Sequence, residues 1–210
     1  MVESESGPEL PVIPSANTGA LRLPPQLEER LASVRLLAMD VDGVLTDGTI
    51  VWTARPQGGA VVESKSFSVR DGLGLSLART AGLQIAWITG RTSTVVERRA
   101  VELGVTELHQ WARNKAAVLA EIKNRHALPA AALLYVGDDL NDVPAFREAG
   151  VRVAVLDAAP ELQAMADWVT QAGGGRGAIR EVVETVLRAQ GRWEDVVARF
   201  YQRLELEGAQ

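Results

Sequence analysis

The chain is expected to be an α/β protein of the doubly wound, Rossmann-like class: a parallel sheet with helices on both faces. Three observations lead there. Short, nearly continuous apolar runs recur at residues 36–39, 83–88, 131–136 and 151–155, and a strand buried on both faces reads as such a run. Strand-like and helix-like stretches then alternate almost throughout, which calls for right-handed crossovers. Finally, the runs end in polar groups: Asp40 and Asp42 after the first, Thr89 after the second, Asp138 and Asp139 after the third. In a parallel sheet these ends share one edge, where ligands bind.

The elements follow in order. Residues 1–30 hold Pro8, Pro11, Pro14, Pro24 and Pro25 among Ser, Glu and Gly, the composition of a poorly ordered arm, although residues 26–33 also read as a short helix leading into the first strand. The globular body is expected over residues 31–191, with an amphipathic helix or tail at 192–210. Behind Gly48, residues 49–53 and 60–67 are rich in β-formers around a turn at 54–59, so an inserted β-hairpin is expected at 49–67. Alone it exposes Val51 and Trp52, which favours a packed or oligomeric role. A helix runs from Ser68 and Val69 to about Ala81. Residues 94–103 form another, with Gly104 at its C-terminal cap. A short third strand at 105–108 precedes a helix at 114–125 that carries Lys115 in its first turn. Short helices at 143–149 and 160–166 flank the fifth strand. Gly173, Gly174, Gly175 and Gly177 make a flexible turn, or one that brings Arg176 to a site, ahead of a helix reaching Ala189.

The 210 residues are 47% hydrophobic and 23% charged, ordinary for one globular α/β domain. A net charge of −5 gives no basic field to recruit nucleic acid. The absence of cysteine removes disulfides, thiolate catalysis and Cys-ligated zinc. An acidic start without an apolar core argues against a secretory signal, and no apolar run is long enough to span a bilayer. A cytoplasmic protein with neither nucleic-acid nor membrane partner is expected.

Carboxylates gathered without Cys or a suitable His prefer a hard cation with oxygen ligands, so Mg²⁺ is expected. A carboxylate can also attack phosphorus to form an aspartyl-phosphate. Carboxylates alone repel a phosphoryl group, so a cation and Lys115 are needed to neutralise it. Asp40 suits the nucleophile, and Asp42 the acid and base for the leaving group and water. Thr89 can donate its hydroxyl to a phosphoryl oxygen. Asp139 either ligates the cation or stands behind the ligands; Asp142 is either a cap, a hydrogen-bond partner or a site residue. His109 and His126 lack a companion ligand and read as structural.

These stretches (D-V-D-G-V-L-T-D, I-T-G-R, a lysine at a helix start, G-D-D-L-N-D) are similar to the four ordered motifs of the haloacid dehalogenase-like phosphotransferases. The resemblance implies strand order 5-4-1-2-3, with Asp40, Thr89 and Asp138 on neighbouring strands. It also implies Asp40 and Asp138 on Mg²⁺, with the Asp42 carbonyl as a further ligand. F-S-V-R-D-G-L-G-L, Asn114-Lys115 and G-G-G-R-G-A-I-R-E extend the likeness to a cap-less subgroup that includes 3-deoxy-D-manno-octulosonate 8-phosphate phosphatases. That subgroup implies a homotetramer in which hairpins pack together, a sugar-acid phosphate substrate, and substrate contacts at Ser68, Val69, Arg70, Asp71, Gly72, Arg91, Arg99 and Lys115. Arginines suit this independently, because a guanidinium grips a carboxylate. The chain departs from the subgroup at Ser76, where an arginine is common, and in a longer hairpin turn. The departures leave phosphatases for other nine-carbon sugar acids as an alternative, beside a non-catalytic assembly module. A phosphomutase needs a cap to exclude water, and the 49–67 insertion is only a hairpin.

Overall fold

The computed structural model describes residues 23–55 and 59–208; residues 1–22 of the arm, 56–58 of the hairpin turn and the last two residues lie outside the described set. Pro25 opens α1 (Pro25–Ala32), where its missing N–H leaves nothing unpaired that a helix start would not. Leu27 and Leu31, one turn apart, are buried. Arg30 reaches across to Asp167 at 2.8 Å. Through these contacts α1 packs on the body.

β1 (Leu36–Met39) is buried at all four positions. The insertion behind it is the antiparallel pair β2 (Val51–Arg55) and β3 (Gly59–Ser64). The chain then alternates: α2 (Val69–Thr80), β4 (Gln84–Ile88), α3 (Thr94–Leu103), β5 (Glu107–His109), α4 (Lys115–Arg125), β6 (Leu133–Gly137), α5 (Val143–Glu148), β7 (Val151–Ala154), α6 (Pro160–Gln163), β8 (Trp168–Val169), α7 (Ala178–Ala189) and α8 (Trp193–Gly208). The parallel sheet runs β5-β4-β1-β6-β7-β8. Its five longer strands stand in the expected 5-4-1-2-3 order. β8 is an addition at the edge, two residues long and therefore without a periodicity to read.

Ends and caps explain the local structure. Gly104 takes φ 63° to close α3, a left-handed cap that glycine adopts without strain. Asn114 caps α4, its side chain accepting from Ala117 N at 3.1 Å. At the other end of the chain Trp193 and Val196 are buried, and Arg180 and Arg188 lie over the Trp193 ring at 5.2 and 5.1 Å. The first turns of α8 thus belong to the body rather than to a tail. The hairpin stands apart from the sheet and leaves Val51, Trp52 and Val61 exposed. No helix among the described residues is long and apolar enough to cross a membrane.

Sheet register assembles the reactive edge. Met39 is level with Trp87 on one side and Val136 on the other. Asp40 N–H continues this pattern, donating to Val136 O at 3.1 Å. Asp40, Thr89 and Asp138 therefore leave three adjacent strands within a residue or two of the same level.

Candidate active site

Asp40 is buried at the end of β1, and its carboxylate is gripped twice: Val41 N–H donates to Oδ1 at 2.6 Å, and Lys115 Nζ lies 2.6 Å from Oδ2. Lys115 arrives from the first turn of α4 and also meets Asp142 Oδ1 at 2.7 Å. Tyr135 OH donates to the same Asp142 oxygen at 2.8 Å. The other oxygen of Asp142 accepts from Asp138 N at 2.9 Å and, more weakly, from Asp139 N at 3.4 Å. Asp139 itself points back to Leu140 N, at 2.7 Å, as the cap of a short 3₁₀ turn.

The loop after Asp40 is held as firmly. Thr46, fully buried, accepts from Gly43 N (3.4 Å) and Gly48 N (3.2 Å) and donates to Val41 O (3.4 Å). Gly43 takes φ 95°, and a Cβ there would lie 2.0 Å from Asp138 Oδ2. Glycine is required at this position for both conformation and space. Thr89 is buried after β4; its Oγ1 accepts from Arg91 N at 3.2 Å, and its backbone is tied to His109 O and Ala112 N, each at 2.9 Å.

Charge and burial oppose each other here. Burial, then the neighbouring Asp142 carboxylate, raises Asp40 to about 6 against the pull of Lys115. Burial, Asp142 and Asp40 together raise Asp138 to about 8. Burial alone would lower Lys115, but Asp142 and Asp40 outweigh it and raise it. The arrangement is short of positive charge.

The residues fit a divalent cation. Oxygens of Asp40, Asp138 and Asp142 lie within 4.8 Å of one another. Asp138 Oδ1 is buried and, among the described residues, lacks a hydrogen-bond partner. A buried carboxylate oxygen left so is costly unless an ion takes it. Asp142 belongs to the cluster by distance, yet its lone-pair positions are already taken by Lys115, Tyr135 and two backbone amides. We therefore read it as the group that orients Lys115 and Asp138, and Asp40 and Asp138 as the carboxylates left to bind metal. An all-oxygen donor set favours Mg²⁺.

A second ring surrounds Asp42. Lys65, its side chain fully buried, bonds Asp42 Oδ1, and Arg91 Nε lies 3.7 Å from Oδ2. Glu63 joins them: it accepts from Arg91 Nη2 at 3.0 Å and from Ser93 Oγ, and lies 3.8 Å from Lys65. Burial pushes Glu63 upward, but Ser93 and Arg91 hold it below the usual range. The hairpin thus delivers Glu63 and Lys65 to Asp42 and its neighbour Arg91. The sequence reading missed both, as it missed Tyr135 and Ser93. The available signal was strand alternation, which puts Glu63 and Lys65 on one face of the hairpin.

Other expected contacts are engaged elsewhere. Ser68 caps α2, its Oγ accepting from Asp71 N at 3.3 Å. Asp71, expected on the substrate, is buried and accepts from Gly177 N at 3.1 Å and Arg180 N at 2.8 Å. It anchors the start of α7 to α2, the favourable place for a carboxylate at a helix N-terminus. Within one chain its carboxylate is thus committed to the start of α7. Gly72 lies under the Arg99 guanidinium. Arg99 pairs with Glu102 at 2.7 Å and sits 5.9 Å above the Phe67 ring, so its partners are not the reactive carboxylates. Val69 and Arg70 are exposed.

Comparison with known proteins gives three findings. The model of the haloacid dehalogenase-like hydrolases matches residues 75–178. The chain is 44% identical over 163 residues to the 3-deoxy-D-manno-octulosonate 8-phosphate phosphatase KdsC of Escherichia coli K12, covering 78% of this chain and 84% of that one. Among solved structures it is similar to the 3-deoxy-D-manno-octulosonate 8-phosphate phosphatase of Moraxella catarrhalis in complex with magnesium ion, phosphate ion and KDO (TM-score 0.78, 38% identity, 83% of this chain and 98% of that one). It is also similar to the cobalt-bound deoxy-D-mannose-octulosonate 8-phosphate phosphatase of Haemophilus influenzae (TM-score 0.71, 35% identity, 78% and 93%).

Proposed function

The chain belongs to the haloacid dehalogenase-like hydrolase family, and we propose that it is a Mg²⁺-dependent phosphomonoesterase acting on 3-deoxy-D-manno-octulosonate 8-phosphate. One observation carries the reading: Lys115 bridges Asp40 and Asp142 in a buried cluster whose Asp138 oxygen is left without a protein partner. A nucleophile, a fixed cation and an incomplete ligand set are what phosphoryl transfer to a carboxylate requires.

Asp40, Asp138 and the Asp42 carbonyl would hold the ion, which when bound would neutralise phosphoryl oxygens. Lys115 contributes a second, permanent positive charge beside Asp40. The Asp40 carboxylate attacks phosphorus, and the ester P–O bond breaks. Asp42, held by Lys65 and Arg91, gives its proton to the leaving sugar oxygen. It then takes a proton from water, which attacks the aspartyl-phosphate, frees phosphate and restores Asp40. Thr89 positions a phosphoryl oxygen through its hydroxyl. Arg91 is partly exposed beside Asp42, and a guanidinium there suits the carboxylate of a sugar acid.

The same reading makes the protein a cytoplasmic homotetramer. The exposed apolar hairpin supports it, because a two-stranded ribbon is marginal in water unless covered. In such an assembly Ser68, Val69, Arg70 and Gly72, with Arg99, approach a neighbour's site rather than their own. The test is phosphate release from a panel of sugar phosphates that includes nine-carbon sugar-acid phosphates, with and without Mg²⁺. Metal-dependent turnover highest on 3-deoxy-D-manno-octulosonate 8-phosphate and abolished in Asp40→Asn is expected. Full activity in Asp40→Asn would remove the nucleophile assignment.

A further inference from the structure

The glycine stretch between β8 and α7 is not free. Gly174 N–H donates to Asp157 Oδ1 at 2.8 Å, Gly175 N–H to Val44 O at 2.9 Å, and Gly177 N–H to Asp71 Oδ2 at 3.1 Å. The segment is thereby tied to the loop after β7, to the loop after β1 and to α2. It lies directly on the residues that follow Asp42. A Cβ at Gly174 would sit 1.8 Å from Gly43 O, and one at Gly175 2.6 Å from Thr46 C. Gly43 in turn has no room on its other exposed side, where a Cβ would meet the Asp138 carboxylate at 2.0 Å. Real Cβ contacts essentially never fall under 3.0 Å.

We propose that Gly174 is a positioning residue for the divalent-cation site, acting through Gly43 on Asp138 and on the Asp42 carbonyl. The inference rests on the metal-dependent reading above. Gly174 touches neither ligand. It sets where the Gly43 carbonyl stops, and Gly43 is joined by its peptide bond to the Asp42 carbonyl and packed against the Asp138 carboxylate. A side chain at 174 cannot coexist with the Gly43 carbonyl where it stands, and the bonds from Gly174 N to Asp157 and from Gly175 N to Val44 O resist retreat of the 174 segment, which directs the shift toward Gly43. The Gly43 amide shares one planar peptide with the Asp42 carbonyl and is held to Thr46 Oγ1 only loosely, at 3.4 Å, so a displacement of the Gly43 carbonyl is passed to that peptide. Groups behind metal ligands act on affinity by this kind of constraint. The sequence reading of the stretch as a flexible turn is corrected by the same bonds.

The experiment titrates Mn²⁺ into metal-free protein and follows free Mn²⁺ by electron paramagnetic resonance, which reads binding without turnover. Wild type is expected to take one ion per chain, and Gly174→Ala to bind about 10- to 100-fold more weakly with its circular dichroism spectrum intact. The Mg²⁺ concentration for half-maximal turnover should rise by a similar factor, with turnover at saturating Mg²⁺ largely kept. Gly191→Ala is the comparison, since φ is 63° there and nothing lies within 4 Å of its Cβ; it should bind Mn²⁺ as wild type does. Should Gly174→Ala not fold, Asp157→Ala releases the Gly174 amide without adding an atom to the loop, and weaker Mn²⁺ binding is again expected. Affinity within about twofold of wild type in the folded variant overturns the proposal alone. A wild-type protein that takes no Mn²⁺ overturns the metal-dependent reading beneath it.

Discussion

The Lys115 ammonium lies 2.6 Å from Asp40 Oδ2, and both side chains are almost closed to solvent. The two come from different crossovers, one ending β1 and one opening α4. Before substrate arrives, each is the other's counter-charge. When a phosphoryl group enters, the same lysine faces the charge that the attack moves onto phosphate oxygens. Asp142 keeps it there by sharing the ammonium at 2.7 Å.

Replacing Lys115 by Met therefore does two things. It leaves Asp40 and Asp142 buried without their cation, and breaking a buried pair from one side typically destabilises by about 3–5 kcal/mol. It also removes a fixed positive charge from the transition state, which lowers turnover by about 10²–10³-fold. Urea unfolding and phosphate release read the two losses separately. A variant as stable as wild type would show that Lys115 does not neutralise the cluster.

Metal removal should depend on pH. Burial first, and then neighbouring carboxylates, raise Asp40 to about 6 and Asp138 to about 8. Both folded values exceed the ordinary 3.8. Their contribution to stability is thus fully present below that value and is lost as pH rises through 6 and then 8. A bound cation opposes the loss, because it favours the ionised forms. Chelation is expected to lower the melting temperature more at about pH 8.5 than at about pH 5. Equal drops at both would contradict the charge balance described for the site.

Much of this site was legible in the sequence, for particular reasons. Asp40, Thr89 and Asp138 each end an apolar run, so strand polarity alone places them on one edge. Lys115 follows Asn114, a good helix cap, and so opens a helix. Asp142 stayed open because an acid four residues after Asp138 serves a cap as well as a site; only its burial and its bonds to Lys115 and Tyr135 decide. Glu63 and Lys65 were not legible, because no local pattern says which way a hairpin folds over its sheet. The hold of Asp71 on α7 was not legible for a related reason: its partner Gly177 is 106 positions away.

Asp42 sits against buried Lys65, with Arg91 on its other oxygen. In the proposed mechanism it is the acid and base, needed most when water attacks the aspartyl-phosphate. Asp42→Asn should slow turnover by about 10²–10⁴-fold and let phosphoenzyme accumulate. Lys65→Met should slow the same step without affecting Asp40, since Lys65 bonds only the Asp42 side of the site among the contacts described. Rapid-quench labelling checks both, and no trapped phosphate in Asp42→Asn would count against its role.

Acid stability has a different source. Burial would raise Asp167, but Arg152 and Arg30 outweigh it and hold it far below the usual carboxylate range. The three residues tie α1 to the β7–β8 edge, with Arg30 also donating from Nε to Gly150 O at 3.1 Å. A depressed folded value contributes stability that is present above the unfolded value and is lost as pH falls through the folded one. Asp167→Ala should lower the melting temperature at neutral pH by several degrees and flatten the acid limb below about pH 5. A parallel shift at all pH values would mean that packing, not charge, is what Asp167 supplies.

The hairpin gives the last prediction. Val51 pairs with Ser64, and Trp52 with Glu63. Strand alternation puts Val51 on the face opposite Glu63, so a change at Val51 leaves the Glu63 bonds to Arg91 and Ser93 in place. Val51 is 47% exposed in the single chain, an apolar residue on a ribbon with no sheet behind it. If neighbours cover this face, a carboxylate there is buried without a partner, and several copies of the penalty fall on one assembly. Val51→Asp is therefore expected to yield a monomer by light scattering where wild type gives a tetramer. If neighbours complete each other's sites as proposed, turnover per chain should fall as well. A Val51→Asp protein that remains tetrameric would place the subunit interface on another surface.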